Sequence, residues 1–135
     1  MSGYVQRIFG LLALLTVQTA SADILLLVHG YASSAQSWEI SGVNNELQAR
    51  GWVRAGIMAP SNPGLMPPAA VPERRNRSYS ADLPAQAPLL LQAEHLRRML
   101  SMLRARYPDE KLTVAGHSAG GVVGRFALMG GILMK

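Results

Sequence analysis

The sequence predicts an α/β fold, a parallel sheet with helices on both faces. Three observations predict it. Runs suited to strands alternate with segments of helical pattern, the arrangement in which crossover helices join parallel strands. The first such run, Asp23-Ile24-Leu25-Leu26-Leu27-Val28, is apolar at consecutive positions, as in a strand covered on both faces. Finally, Gly116-His117-Ser118-Ala119-Gly120 lies between a strand-like run and a helix-like run, a strand-turn-helix join.

The N-terminus reads as an export signal. Arg7 is the only charge before Asp23, and it precedes the apolar run Ile8 to Val17. That run is too short to span a bilayer comfortably. Ala20-Ser21-Ala22 then supplies the small residues that signal peptidase accepts, so residues 1–22 are expected to be a signal peptide cut between Ala22 and Asp23. The expected location is periplasmic or secreted. Residues 23–135 form the remaining domain.

Within that domain, His29-Gly30 ends the first strand and residues 31–38 form a small, polar loop. Residues 41–50 suit a helix stopped by Gly51, and residues 52–58 read as a second, weaker strand. From Ala59 to about Pro88 the chain holds seven of its eight prolines, which predicts a long surface loop. Arg74-Arg75-Asn76-Arg77 within it reads as solvated. Asn76-Arg77-Ser78 also fits a glycosylation acceptor, which matters only in a eukaryotic secretory pathway. Residues 89–107 give the clearest helix: Leu89, Ala93, Leu96, Leu100, Leu103 and Tyr107 share one face, and Glu94 and Arg98 are spaced for an i,i+4 pair. Pro108-Asp109 ends it, and residues 112–115 form a third strand leading into the glycine-flanked turn.

Composition narrows the function classes. The chain of 135 residues is one domain at most, and 49% apolar residues make disorder an unsuitable default. No cysteine is present, which removes disulfide scaffolds and thiolate metal sites. The net charge is +5, but the arginines are scattered over a helix and a loop with few aromatics, so a nucleic-acid partner is not expected.

The chemistry points to Ser118. A serine between Gly116 and Gly120, on a sharp turn between strand and helix, is a nucleophile elbow: the glycines permit close backbone approach and the hydroxyl stands clear of the sheet. The following helix aims its N-terminal amides at the same place, and the Ala119 N–H is placed to stabilise an oxyanion. The loop after the first strand, His29-Gly30-Tyr31, would offer the Tyr31 N–H as a second donor.

The run Leu25-Leu26-Leu27-Val28-His29-Gly30-Tyr31, followed by Val114-Ala115-Gly116-His117-Ser118-Ala119-Gly120-Gly121-Val122-Val123-Gly124-Arg125, resembles the α/β-hydrolase superfamily. It looks most like the lipase and carboxylesterase members. The resemblance covers nearly the whole mature chain but only the central part of that fold. It implies a partial α/β-hydrolase fold missing the later strands, with Ser118 as nucleophile and Tyr31 and Ala119 as oxyanion donors. It also implies that His29 and His117 support the turn and that Arg125 braces the fold. The implied reaction is ester hydrolysis through an acyl-enzyme, with no cofactor and no metal. The implied partners are small-molecule or lipid esters, with transient contact at a membrane or lipid surface.

A serine also needs a base. From Ala119 to Lys135 there is no Asp, Glu or His, whereas the family places its acid and histidine after the nucleophile. His95 reads as a histidine on the polar edge of the long helix, and Asp82 is an upstream carboxylate able to approach the cleft. The sequence therefore reads as truncated. The alternative expectation is a catalytically incomplete fragment or a non-catalytic binding protein, with the base supplied, if at all, by a complementing chain. The strand at 112–115 is expected to leave an open edge.

Overall fold

The computed structural model describes residues 22–60 and 75–133. They fold as β1 (Asp23–Val28), α1 (Ser37–Ile40), α2 (Val43–Ala49), β2 (Val53–Met58), β3 (Arg77–Ala81), α3 (Leu89–Arg106), β4 (Lys111–Gly116) and α4 (Ala119–Leu133). Nearly all of the expected signal peptide, residues 61–74 of the proline-rich segment and residues 134–135 lie outside the described residues. Among the described residues no helix is long and apolar enough to cross a membrane.

The four strands run β2-β3-β1-β4 and every pair is parallel, as the strand-helix alternation predicts. Ile24, Leu26 and Val28 of β1 join Tyr79 and Ala81 of β3 on one face of the sheet. Ala93, Leu96, Met99, Leu100 and Leu103 of α3, with Val123 and Ala127 of α4, complete that core. Leu27 faces the other way and is buried too, so β1 is covered on both sides, as its unbroken apolar run requires. β4 lies at the sheet's edge with β1 as its one neighbour among the described residues, which is the open edge expected of it.

Two helix boundaries follow from prolines. Pro88 precedes Leu89 in an extended conformation and needs no N–H partner at a helix start. At the other end Pro108 bars Tyr107 from the helical region, and Tyr107 turns away at φ −126°. On α3 the expected apolar face is shifted: Leu89 is exposed, whereas Gln92 and Met99 are buried. The Gln92 side chain is tied down by a bond from Nε2 to the Ala87 carbonyl at 2.7 Å. The Glu94–Arg98 pair forms at 3.4 Å, and Glu94 also holds Arg97.

Three expectations are corrected. The proline-rich stretch is not all surface loop, because residues 77–81 form β3, an interior strand with every residue buried. Arg-Ser-Tyr-Ser-Ala has no apolar run and hides its strand character; it is held instead by ladders to β1 and β2. Nor is the basic cluster simply solvated. Arg77 is buried, pairs with Glu110 at 2.9 Å and lies 4.6 Å from the Tyr107 ring centroid. Beside it, Asn76 Oδ1 accepts the Asp23 N–H at 2.8 Å at the start of β1. Finally, the loop expected at 31–38 runs into a short helix, α1, while the helix expected at 41–50 is α2. Gly42 breaks them apart at φ +82°, a left-handed conformation open to glycine.

Candidate active site

The parallel register puts Val28 opposite Gly116, so β1 and β4 end side by side. Crevices beyond the carboxyl ends of parallel strands are where open α/β sheets place their sites. β1 leaves through His29, Gly30 and Tyr31. β4 leaves through His117 and Ser118 directly into α4. The bond from His117 N–H to the Val28 carbonyl at 3.0 Å stitches the two exits together.

Ser118 is left-handed, at φ +56°, and exposed. For a non-glycine residue this conformation costs about 1–2 kcal/mol. The surrounding turn holds it there. Gly120 N–H donates to the His117 carbonyl at 2.9 Å and Gly121 N–H to the Ser118 carbonyl at 3.0 Å. The flanking glycines are required by space. A Cβ at Gly116 would lie 2.4 Å from the Gly121 nitrogen, and one at Gly120 would lie 2.3 Å from the Val28 oxygen. A Cβ at Gly30 would stand 3.4 Å from Ser118 Cβ, so the β1 exit loop passes closely beside the serine.

Ala119 is the first residue of α4, and its N–H has no intrahelical acceptor. Tyr31 is exposed at the mouth of the β1 loop. No loop, turn or cap hydrogen bond among the described residues uses either N–H.

His29 is buried and occupied at both ring nitrogens. Nε2 accepts the Leu83 N–H at 2.9 Å, which leaves Nδ1 to carry the proton and donate to the Gly30 carbonyl at 3.0 Å. The ring therefore fastens the loop after β1 to the loop after β3 and has no lone pair to offer Ser118. Asp82 sits in the same junction, 3.9 Å from His29 Nε2, with its Oδ1 accepting the Ala35 N–H at 3.0 Å. Its role is thus to order the loop ahead of α1. Sequence reasoning did not see this clamp, because its partners are main-chain groups distant in sequence.

His117 is exposed beside Ser118, and His95 lies half-buried on α3. Among the described residues no side chain hydrogen-bonds the Ser118 hydroxyl. Arg125 is exposed and makes no ion pair or hydrogen bond among them, so the bracing role implied for it is not present there. No group of three or more acidic, histidine or cysteine side chains suited to a metal occurs among the described residues either.

A cavity of about 530 Å³ opens at Ser118. Gly30, Tyr31 and His117 line its near side, and the α1 region supplies Ser33, Ser37, Trp38, Ser41 and Val43. Its volume lies within the range of small-molecule sites, roughly 300–1,000 Å³. A serine on a strained turn, two main-chain amides at the same strand ends and an adjoining cavity suit attack on a carbonyl carbon. A scan of protein-family models gives no match, and comparison with curated proteins finds none similar.

Proposed function

We propose that this chain is an exported serine hydrolase of the lipase or carboxylesterase kind, cleaving carboxylic esters through an acyl-enzyme at Ser118. The observation that carries the reading is the left-handed Ser118 at φ +56°, locked between two glycines that admit no side chain and facing a cavity. Backbone strain of that kind persists only where neighbouring structure over-determines it, and it concentrates at functional sites.

In this mechanism Ser118 Oγ attacks the ester carbonyl and loses its proton to a base. The carbonyl oxygen becomes an oxyanion, met by the N–H groups of Tyr31 and Ala119; each such donor is worth about 3 kcal/mol in the transition state. Collapse expels the alcohol, which takes up the proton. Water then attacks the acyl-enzyme by the same route and releases the acid. No metal or organic cofactor enters any step.

One observation favours a second reading, a catalytically incomplete chain that binds ester without turning it over by itself. No base contacts Ser118 among the described residues, and His29 is committed elsewhere. Among the described residues β4 also has an open edge, and Val122, Phe126 and Met129 of α4 are exposed. Such a surface fits a complementing chain, whose imidazole would then supply the base. Labelling by a fluorophosphonate probe tests the primary reading. The wild-type chain is expected to label and Ser118→Ala not to; labelling that persists in Ser118→Ala removes Ser118 as the reactive group. Ser118-dependent turnover of p-nitrophenyl butyrate by the purified chain removes the second reading.

A further inference from the structure

The wall of the Ser118 cavity that faces away from the turn is of mixed chemistry. Trp38 and Val43 line it together with Ser33, Ser37 and Ser41. The Trp38 indole N–H is inaccessible and has no hydrogen-bond partner among the described residues, so the ring presents carbon to the cavity. None of the three serine hydroxyls has a protein partner among the described residues.

A plain alkyl chain filling this space would strip water from the serine hydroxyls it covers and offer them no partner, a loss that apolar contact with Trp38 and Val43 must first offset. A ligand with its own hydroxyls replaces the water and keeps the apolar contact. Resting on the hydrolase reading of Ser118, we infer that the cavity takes a compact carboxylic ester with a hydroxyl-bearing alcohol. Its carbons lie on Trp38 and Val43, and its hydroxyls meet Ser33, Ser37 and Ser41. Trp38 and the three serines are the specificity-determining residues.

The test compares 2,3-dihydroxypropyl butyrate with propyl butyrate, two esters of equal carbon count that differ by two hydroxyls. Binding is followed in the Ser118→Ala protein, where hydrolysis does not intervene, through the indole N–H resonance of Trp38. The chain has two tryptophans, and Trp52→Phe assigns the signal. The dihydroxy ester is expected to bind about 25-fold more tightly, since each of its two hydroxyls adds a net hydrogen bond worth a factor of about five. Replacing Ser33, Ser37 and Ser41 together by Ala should erase the difference. The single variant Ser41→Ala, at an exposed position, should reduce it about fivefold and keeps the test open if the triple variant fails to fold. Equal or tighter binding of propyl butyrate overturns the inference and assigns the cavity to plain alkyl esters. It is equally overturned by a preference that survives in Ser41→Ala and the triple variant, or by no saturable shift with either ester. Failure of the hydrolase reading is separate: Ser118-independent fluorophosphonate labelling sinks that reading whichever ester binds.

Discussion

Gly120 and Gly121 are neighbours in the first turn of α4, yet the structure assigns their alanine variants opposite signs. At Gly120 a Cβ would stand 2.3 Å from the Val28 oxygen and 2.5 Å from the His29 oxygen. Both are main-chain atoms at the end of β1, so relief requires moving a strand end or the helix. Overpacking of this kind costs about 1–3 kcal/mol, and the gain in helix propensity returns at most about 1 kcal/mol. Gly120→Ala is therefore expected to lose about 1–2 kcal/mol. At Gly121 the one atom within 4 Å is the Gly116 oxygen, at 3.8 Å, an ordinary contact. Gly121→Ala should gain about 0.5 kcal/mol by restricting the unfolded chain. Urea denaturation followed by circular dichroism measures both. With a slope of about 2 kcal/mol/M, the two midpoints should differ by about 1 M. Coincident midpoints, or a more stable Gly120→Ala, would refute the claim that α4 begins in contact with the β1 exit.

Two further outcomes follow from particular residues. Ser118→Gly relieves the left-handed conformation and should stabilise the fold by about 1 kcal/mol while abolishing fluorophosphonate labelling; a destabilised variant would contradict the strain at φ +56°. Burial, and then its bond to the Tyr107 hydroxyl, push the Tyr79 phenol far above its usual value near 10. The neutral phenol thus favours the folded state. Its contribution is complete below pH 10 and is lost as the unfolded chain's tyrosine ionises above it, at about 1.4 kcal/mol per pH unit. Tyr79→Phe should flatten that alkaline decline, and an unchanged slope by urea denaturation would dissociate it from Tyr79.

How much of this was legible depended on which forces held each element. β1 and α3 declare themselves because apolar burial writes a pattern along the chain, and Ser118 declares itself because its turn demands glycines at fixed offsets. β3 did not, since Arg77, Ser78 and Ser80 are buried through strand pairing and an ion pair with Glu110, and no local pattern records a ladder to a distant strand. α1 was hidden because its four residues bury none of their side chains and so write no apolar pattern. The clamp at His29 was equally hidden. The sequence shows a histidine after a strand, while its partner, the Leu83 N–H, is invisible as a residue type.

The same distinction bears on what the glycine-flanked pentapeptide means. By itself it is a weak signal in a chain with thirteen glycines. In the folded chain its two outer glycines differ in what they touch: Gly116 is crowded by the turn itself, Gly120 by the end of β1. The His117 N–H is fixed to Val28 as well, and Gly30 passes beside the serine. The conformation of Ser118 is thus a property of the β1–β4 pair, enforced from outside the pentapeptide. A cut that released β1 from β4 would free about 1–2 kcal/mol of backbone strain and let the serine relax from its presented position. The reactive geometry and the central strand pairing therefore stand or fall together, which ties the chemistry proposed at Ser118 to an unbroken apolar strand some ninety residues earlier in the chain.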